Sequence, residues 1–168
     1  LVCMALSAAL LAGSMPAYAA EESLFTKTPH TFTARVGTTE FTKDGAAQPL
    51  DVPIYIKDGY TMLPLRTFMK AALGEKSQMA WNNEDKAATV AFGGNLIRFS
   101  IKENTIAKNG KDLPVWGKME VKDGRVFVPL RNWSGILQSI GYLMEEGDIT
   151  WDSTTRLATI RAVEQKLD

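Results

Sequence analysis

The chain has 168 residues, with 19 basic and 19 acidic side chains, one histidine and one cysteine. That balance leaves no basic stripe for nucleic acid and no polybasic patch for a membrane surface, so neither partner is expected. Cys3 lies among the first twenty residues, and the chain beyond it has no thiol for a disulfide, a nucleophile or a Cys-ligated metal.

In chain order, Val2 to Leu11 is an apolar run rich in Ala and Leu, and Ala17-Tyr18-Ala19 is a small-x-small cleavage site before Ala20. This predicts a secretory signal peptide over 1–19, with a truncated start, because no basic n-region precedes the run. The run is shorter than the roughly 20 apolar residues that a spanning helix needs, so no stable membrane insertion is expected after cleavage. The product is expected to be secreted and extracellular, with association to the cell wall open. Residues 20–30 are polar and without period, which predicts a flexible leader.

From Phe32 the pattern alternates, through Phe32, Ala34 and Val36 and again through Val52, Ile54 and Ile56, which predicts half-buried strands. Asp44-Gly45 and Asp58-Gly59 supply the positive φ angles of tight hairpin turns. After Pro64 the period changes. Leu65, Phe68, Met69, Ala72 and Leu73 fall on one face of a helix, with Pro64 suited to its first turn and Gly74 to its C-terminal cap. A second hairpin follows, carrying Trp81.

The order then repeats. Lys57-Asp58-Gly59 and Pro64-Leu65-Arg66 return 65 positions later as Lys122-Asp123-Gly124 and Pro129-Leu130-Arg131. A second helix face runs through Leu130, Trp133, Ile136, Leu137 and Ile140 to Gly141, and Trp151-Asp152 stand where Trp81-Asn82 stood. The second stretch is five residues longer, around Tyr142 to Asp148, which predicts a surface loop. The expected fold is α+β: two tandem copies, 31–94 and 95–163, each an antiparallel β-sheet packed on one short α-helix. Whether the copies fold apart or exchange strands is open.

On these residues the chain resembles the copper amine oxidase N-terminal-like domain, or stalk domain, family. The motif is Asp58, Gly59, Pro64, Leu65, Arg66, Gly74 and Trp81, and again Asp123, Gly124, Pro129, Leu130, Arg131, Gly141, Trp151 and Asp152. The resemblance covers about Phe32 to Ala162, and departs by Asn82 where the other copy has Asp152. It implies an exported bacterial accessory module, outside the seat of catalysis.

Chemistry weighs against an enzyme. A copper site of the amine oxidase kind takes several imidazoles, and His30 is the only one. None of Tyr18, Tyr55, Tyr60 and Tyr142 follows the Asn that the oxidase cofactor motif requires. There is no G-x-S-x-G nucleophile motif. The acidic cluster Glu145, Glu146 and Asp148 reads as a solvated loop. No catalytic residue, cofactor or metal is expected, and the motif residues are expected to be structural: Arg66 and Arg131 fixing helix to sheet through a carboxylate pair or bonds to strand carbonyls, with Asp152 a candidate partner in the second copy and a grip on an anionic ligand the alternative, and Trp81 and Trp151 closing the core. Trp116, which has only Asp51 or Val52 opposite it in the first copy, is the candidate ligand contact. The expected function is a non-catalytic cell-envelope interaction or stalk module, or alternatively a carbohydrate or peptidoglycan binder using exposed aromatics. Its partner would be a cell-wall polymer or an envelope protein, with a homodimer also open.

Overall fold

The computed structural model describes residues 24–167. The signal peptide expected over 1–19, Cys3 within it, and the start of the expected leader lie outside the described residues. In chain order the first half holds β1 (Phe25–Arg35), β2 (Phe41–Lys43), β3 (Ala46–Ala47), β4 (Tyr55–Lys57), β5 (Tyr60–Pro64), helix α1 (Leu65–Leu73), β6 (Gln78–Asn82) and β7 (Ala87–Phe92). The second half holds β8 (Asn95–Ser100), β9 (Thr105–Lys108), β10 (Lys111–Leu113), β11 (Glu120–Lys122), β12 (Arg125–Pro129), α2 (Trp133–Ser139), β13 (Tyr142–Leu143), β14 (Ile149–Asp152) and β15 (Leu157–Leu167). The molecule is mostly antiparallel sheet with two short helices, an α+β arrangement.

All three sheets mix strands of both halves. One runs β13-β15-β1-β2-β3, with β14 also on β15; the second runs β10-β9-β8-β7-β6; the third runs β11-β12-β5-β4. The expected boundary at 94/95 falls inside the tight turn between β7 and β8, and those strands pair from Phe92↔Asn95 to Ala87↔Ser100. Neither half therefore has a sheet of its own, unlike the expected one sheet per copy. Several central contacts join positions 65 apart. Leu63 pairs with Val128 between β5 and β12, and the Phe68 ring of α1 stacks on Trp133 of α2, 3.9 Å between centroids and 8° from parallel. Phe32 and Phe41 close on Phe68 at 4.9 and 5.1 Å. These rings belong to one buried cluster drawn from both halves, and a second, smaller cluster holds Val52, Met62 and Phe127.

Three local expectations change. The leader is a strand from Phe25 on: β1 pairs with β15 without a break, from Phe25↔Leu167 to Arg35↔Leu157. Thr26, Thr28, Thr31 and Thr33 are β-branched, and a long partner strand satisfies their backbone even though the side chains are polar. The extra segment of the second half is not all surface loop. Tyr142 is 2% exposed, and its hydroxyl donates to the Ala72 carbonyl at the end of α1, 2.6 Å away. Burial pushes its phenol up from the ordinary value, and the charges of Glu164 and Asp44 add to the shift. Third, Pro64 ends β5 in an extended conformation (φ −72°, ψ 126°) and the helix begins after it. Pro129 does the same before a 3₁₀ turn over Leu130–Asn132. Leu65, Phe68, Met69 and Ala72 are buried as the period required, and Gly74 caps α1 with φ 75°.

The hairpin turns follow their residues. Asp58-Gly59 and Asp123-Gly124 both take positive φ at the two central positions, 52° and 80° in the first, 52° and 73° in the second. That is the mirror-image turn whose twist matches paired strands. These two turns matter because each projects beside the other half's helix.

Candidate functional site

The turn between β4 and β5 and the edge strand β14 form the two walls of a groove of about 790 Å³, within the size range of small-ligand clefts. Gly59, Tyr60 and Thr61 line one wall and Ile149 and Trp151 the other, with Pro114, Trp116, Leu130 and Arg131 between them, and Ser134, Gly135 and Gln138 from α2. The turn between β11 and β12 and the edge strand β6 form a second groove of about 460 Å³. Much of its lining matches the first by position: Pro49, Asp51, Arg66, Met79, Trp81, Gly124 and Arg125 stand where Pro114, Trp116, Arg131, Ile149, Trp151, Gly59 and Tyr60 stand in the larger groove.

The tryptophans correct the sequence expectation. Trp81 and Trp151 are 42% and 41% exposed and do not close the core. Alternate residues of a strand share a face, so Met79 and Trp81 point the same way. Met79 packs against the core, while Trp81, two residues nearer the hairpin end, stands beyond the helix at the groove. Ile149 and Trp151 repeat this on β14. Trp133, by contrast, is fully buried. Trp116 is 36% exposed and lines the larger groove.

The arginines also differ from expectation. Among the described residues no ion pair involves Arg66 or Arg131. The guanidinium of Arg131 lies over the Trp116 ring, 4.9 Å from its centroid, a cation–π contact. Asp152, the expected partner of Arg131, instead accepts from the backbone N–H groups of Thr154 and Thr155 at 2.9 and 3.2 Å. Those bonds hold its carboxyl below the ordinary range. Asn82 accepts in the same way from Glu84 and Asp85, at 2.9 and 3.1 Å. The position needs an acceptor oxygen for the turn, which explains why either Asn or Asp serves there.

Two contacts that sequence reasoning missed fix the larger groove. Asn132 is 2% exposed; its side-chain carbonyl accepts from the Trp116 N–H and its amide donates to the Trp116 carbonyl, both at 2.8 Å. Thr67, at the matching place, makes one bond, to the Pro49 carbonyl at 2.9 Å. Tyr60 lies against Gly117, where an added Cβ would stand 3.0 Å from the ring and where φ is +66°. The signal was present in the mismatches between positions 65 apart: Asn132 against Thr67, Trp116 against Asp51, Tyr60 against Arg125. In the smaller groove the last two mismatches meet. Arg125 donates to both carboxylate oxygens of Asp51, where the larger groove has Trp116 and Tyr60.

Across the third sheet, Glu120 accepts from the Tyr55 hydroxyl and the Lys57 ammonium, and Lys122 lies 3.9 Å from the Tyr55 ring centroid. Burial pushes the Glu120 carboxyl up, but the bonds from Lys57 and Tyr55 and the nearby lysine charges outweigh it, and the net shift is down. Burial, together with the bond to Glu120, pushes the Tyr55 phenol well above its ordinary value. This is a charge-paired brace with a firmly ionised carboxylate, unlike the proton-sharing carboxylate of a general acid. In the acidic loop, Asp148 accepts from the Glu145 N–H at 2.7 Å, which makes it a self-capped turn.

The residues present do not fit copper. The chain has one imidazole, and its Nδ1 is engaged with Asp44 at 2.6 Å. Among the described residues no group of three or more His, Cys, Asp or Glu could hold a metal ion, and no helix is long and apolar enough to cross a membrane. The family model of the copper amine oxidase N-terminal domain matches residues 42–160, more than half of the chain. No curated protein and no solved structure matches the chain. The chain belongs to the copper amine oxidase N-terminal domain family.

Proposed function

We propose that this chain is an exported, non-catalytic module of the cell envelope, and that it holds a glycan of the cell wall in the larger groove. Its two halves are read as copies of one unit, joined face to face, with one groove at each junction. The observation that carries the reading is the exposed aromatic lining: Trp116 and Trp151, with Tyr60, stand on an open groove that offers no nucleophile paired to a base. Flat aromatic faces suit the C–H faces of sugar rings, and Ser134 and Gln138, bonded to one another at 3.0 Å, offer polar groups for hydroxyls. An ordered platform also favours binding, because little side-chain freedom is lost on contact. Asn132 supplies that order to Trp116.

Co-sedimentation with purified cell wall tests this. The protein is expected to pellet with the wall, and Trp116→Ala and Trp151→Ala are expected to stay in the supernatant while keeping the wild-type fold by circular dichroism. Absence of wall binding in the wild type would favour an envelope protein as the partner instead.

A further inference from the structure

We propose that the glycan in the larger groove is acidic, and that Arg131 grips a carboxylate or phosphate on a sugar whose ring lies against Trp151. This rests on the preceding reading of the groove as a glycan site. Among the described residues Arg131 is the only charged side chain lining that groove. It has no carboxylate partner among the described residues. Its place is nonetheless fixed, by the Trp116 ring beneath it, and Trp116 is in turn held at both backbone groups by Asn132. Attraction to the ring uses the cation's charge and leaves the guanidinium's N–H fork for an acceptor. A cation held on an aromatic platform loses less side-chain freedom on binding an anion than the same cation on a freely moving side chain.

The smaller groove is an internal contrast. It too has an arginine and a tryptophan, Arg66 and Trp81, but Asp51 stands where Trp116 stands and its carboxylate is bonded to Arg125. The Asp51–Arg125 pair stands at the positions that Trp116 and Tyr60 hold in the larger groove, so the sugar rings lose their platform there and the acidic glycan goes to the larger groove.

The test is calorimetric titration of the wild-type chain with three oligosaccharides of equal length: a neutral N-acetylglucosamine oligomer, a uronic-acid oligomer and a phosphorylated oligosaccharide. An acidic oligomer is expected to bind about tenfold more tightly than the neutral one at low salt, the scale of one charge-assisted hydrogen-bonded contact. The margin is expected to shrink at high salt. Whichever acidic oligomer is preferred identifies the anion. Arg131→Gln is expected to lose the preference and to bind the neutral and acidic oligomers alike, whatever its overall affinity. Trp151→Ala is expected to weaken all three. Equal binding of neutral and acidic oligomers, or a preference that survives in Arg131→Gln, overturns this inference and leaves the glycan reading standing. Failure of the wild type to bind any of the three overturns both.

Discussion

At the scale of single residues, the four tryptophans divide into three roles that composition could not separate. Trp133 is buried against Phe68, Trp81 and Trp151 stand on groove walls, and Trp116 is fixed beneath Arg131. Recurrence in both halves suggested a core for Trp81 and Trp151. Recurrence marks a shared position, however, and a shared position at the end of an edge strand is a rim. Trp151→Ala, at a half-exposed side chain, is therefore expected to cost about 1–2 kcal/mol. Trp133→Ala is expected to cost about 3–5 kcal/mol. Denaturant unfolding measures both, and comparable losses would return Trp151 to the core. Asn132→Thr installs the residue found at the matching position 67 and removes both bonds to Trp116. It is expected to cost about 1–3 kcal/mol, since two backbone groups lose their partner, and to broaden the Trp116 indole resonance; an unchanged resonance would deny the clamp.

At the scale of elements, periodicity and turn chemistry placed the hairpins and both helix faces because those signals are local. Asp-Gly turns, the 3.6-residue spacing of Leu65, Phe68, Met69 and Ala72, and Gly74 each act within a few neighbours. What was hidden depends on distant partners. The polar start of β1 becomes a strand because β15, at the far end of the chain, pairs with it. Tyr142, in a segment read as a loop, is buried because the α1 carbonyl of Ala72 lies within reach. The brace on the third sheet belongs to the same class, joining Tyr55 and Lys57 to Glu120. Its pH dependence follows from the direction of the shift. Glu120 sits below its ordinary value of 4.5, so its contribution is fully present above that value and is lost as pH falls through the lower folded-state value. Glu120→Gln is expected to lower the melting temperature at pH 7 and to flatten the acid limb of the stability curve, with the two proteins converging well below the ordinary value. Parallel curves across that range would show that Glu120 contributes no ionic stabilisation.

At the scale of the whole molecule, the interleaving of strands sets how the chain can fold. The sequence repeat was legible, but the exchange of strands was not, because pairing within a half and pairing between halves have the same hydrophobic pattern. Each half alone would leave long strand edges and half a core open to water. Fragments 24–94 and 95–167 are thus expected to be largely unstructured apart and to regain the sheet signal in circular dichroism when mixed. A fragment that unfolds cooperatively by itself would show that the halves are independent. The same interleaving builds the grooves, since each is walled by a turn of one half and an edge strand of the other. Where the grooves differ, at Trp116 against Asp51 and Tyr60 against Arg125, the molecule is asymmetric. The most direct measurement is an NMR titration of the wild-type chain with solubilised cell-wall glycan fragments, following the indole N–H signals of its four tryptophans. Saturable shifts are expected at Trp116 and Trp151, with Trp81 and Trp133 unmoved. No shift at Trp116 and Trp151, or shifts at Trp81 in their place, would contradict the glycan reading.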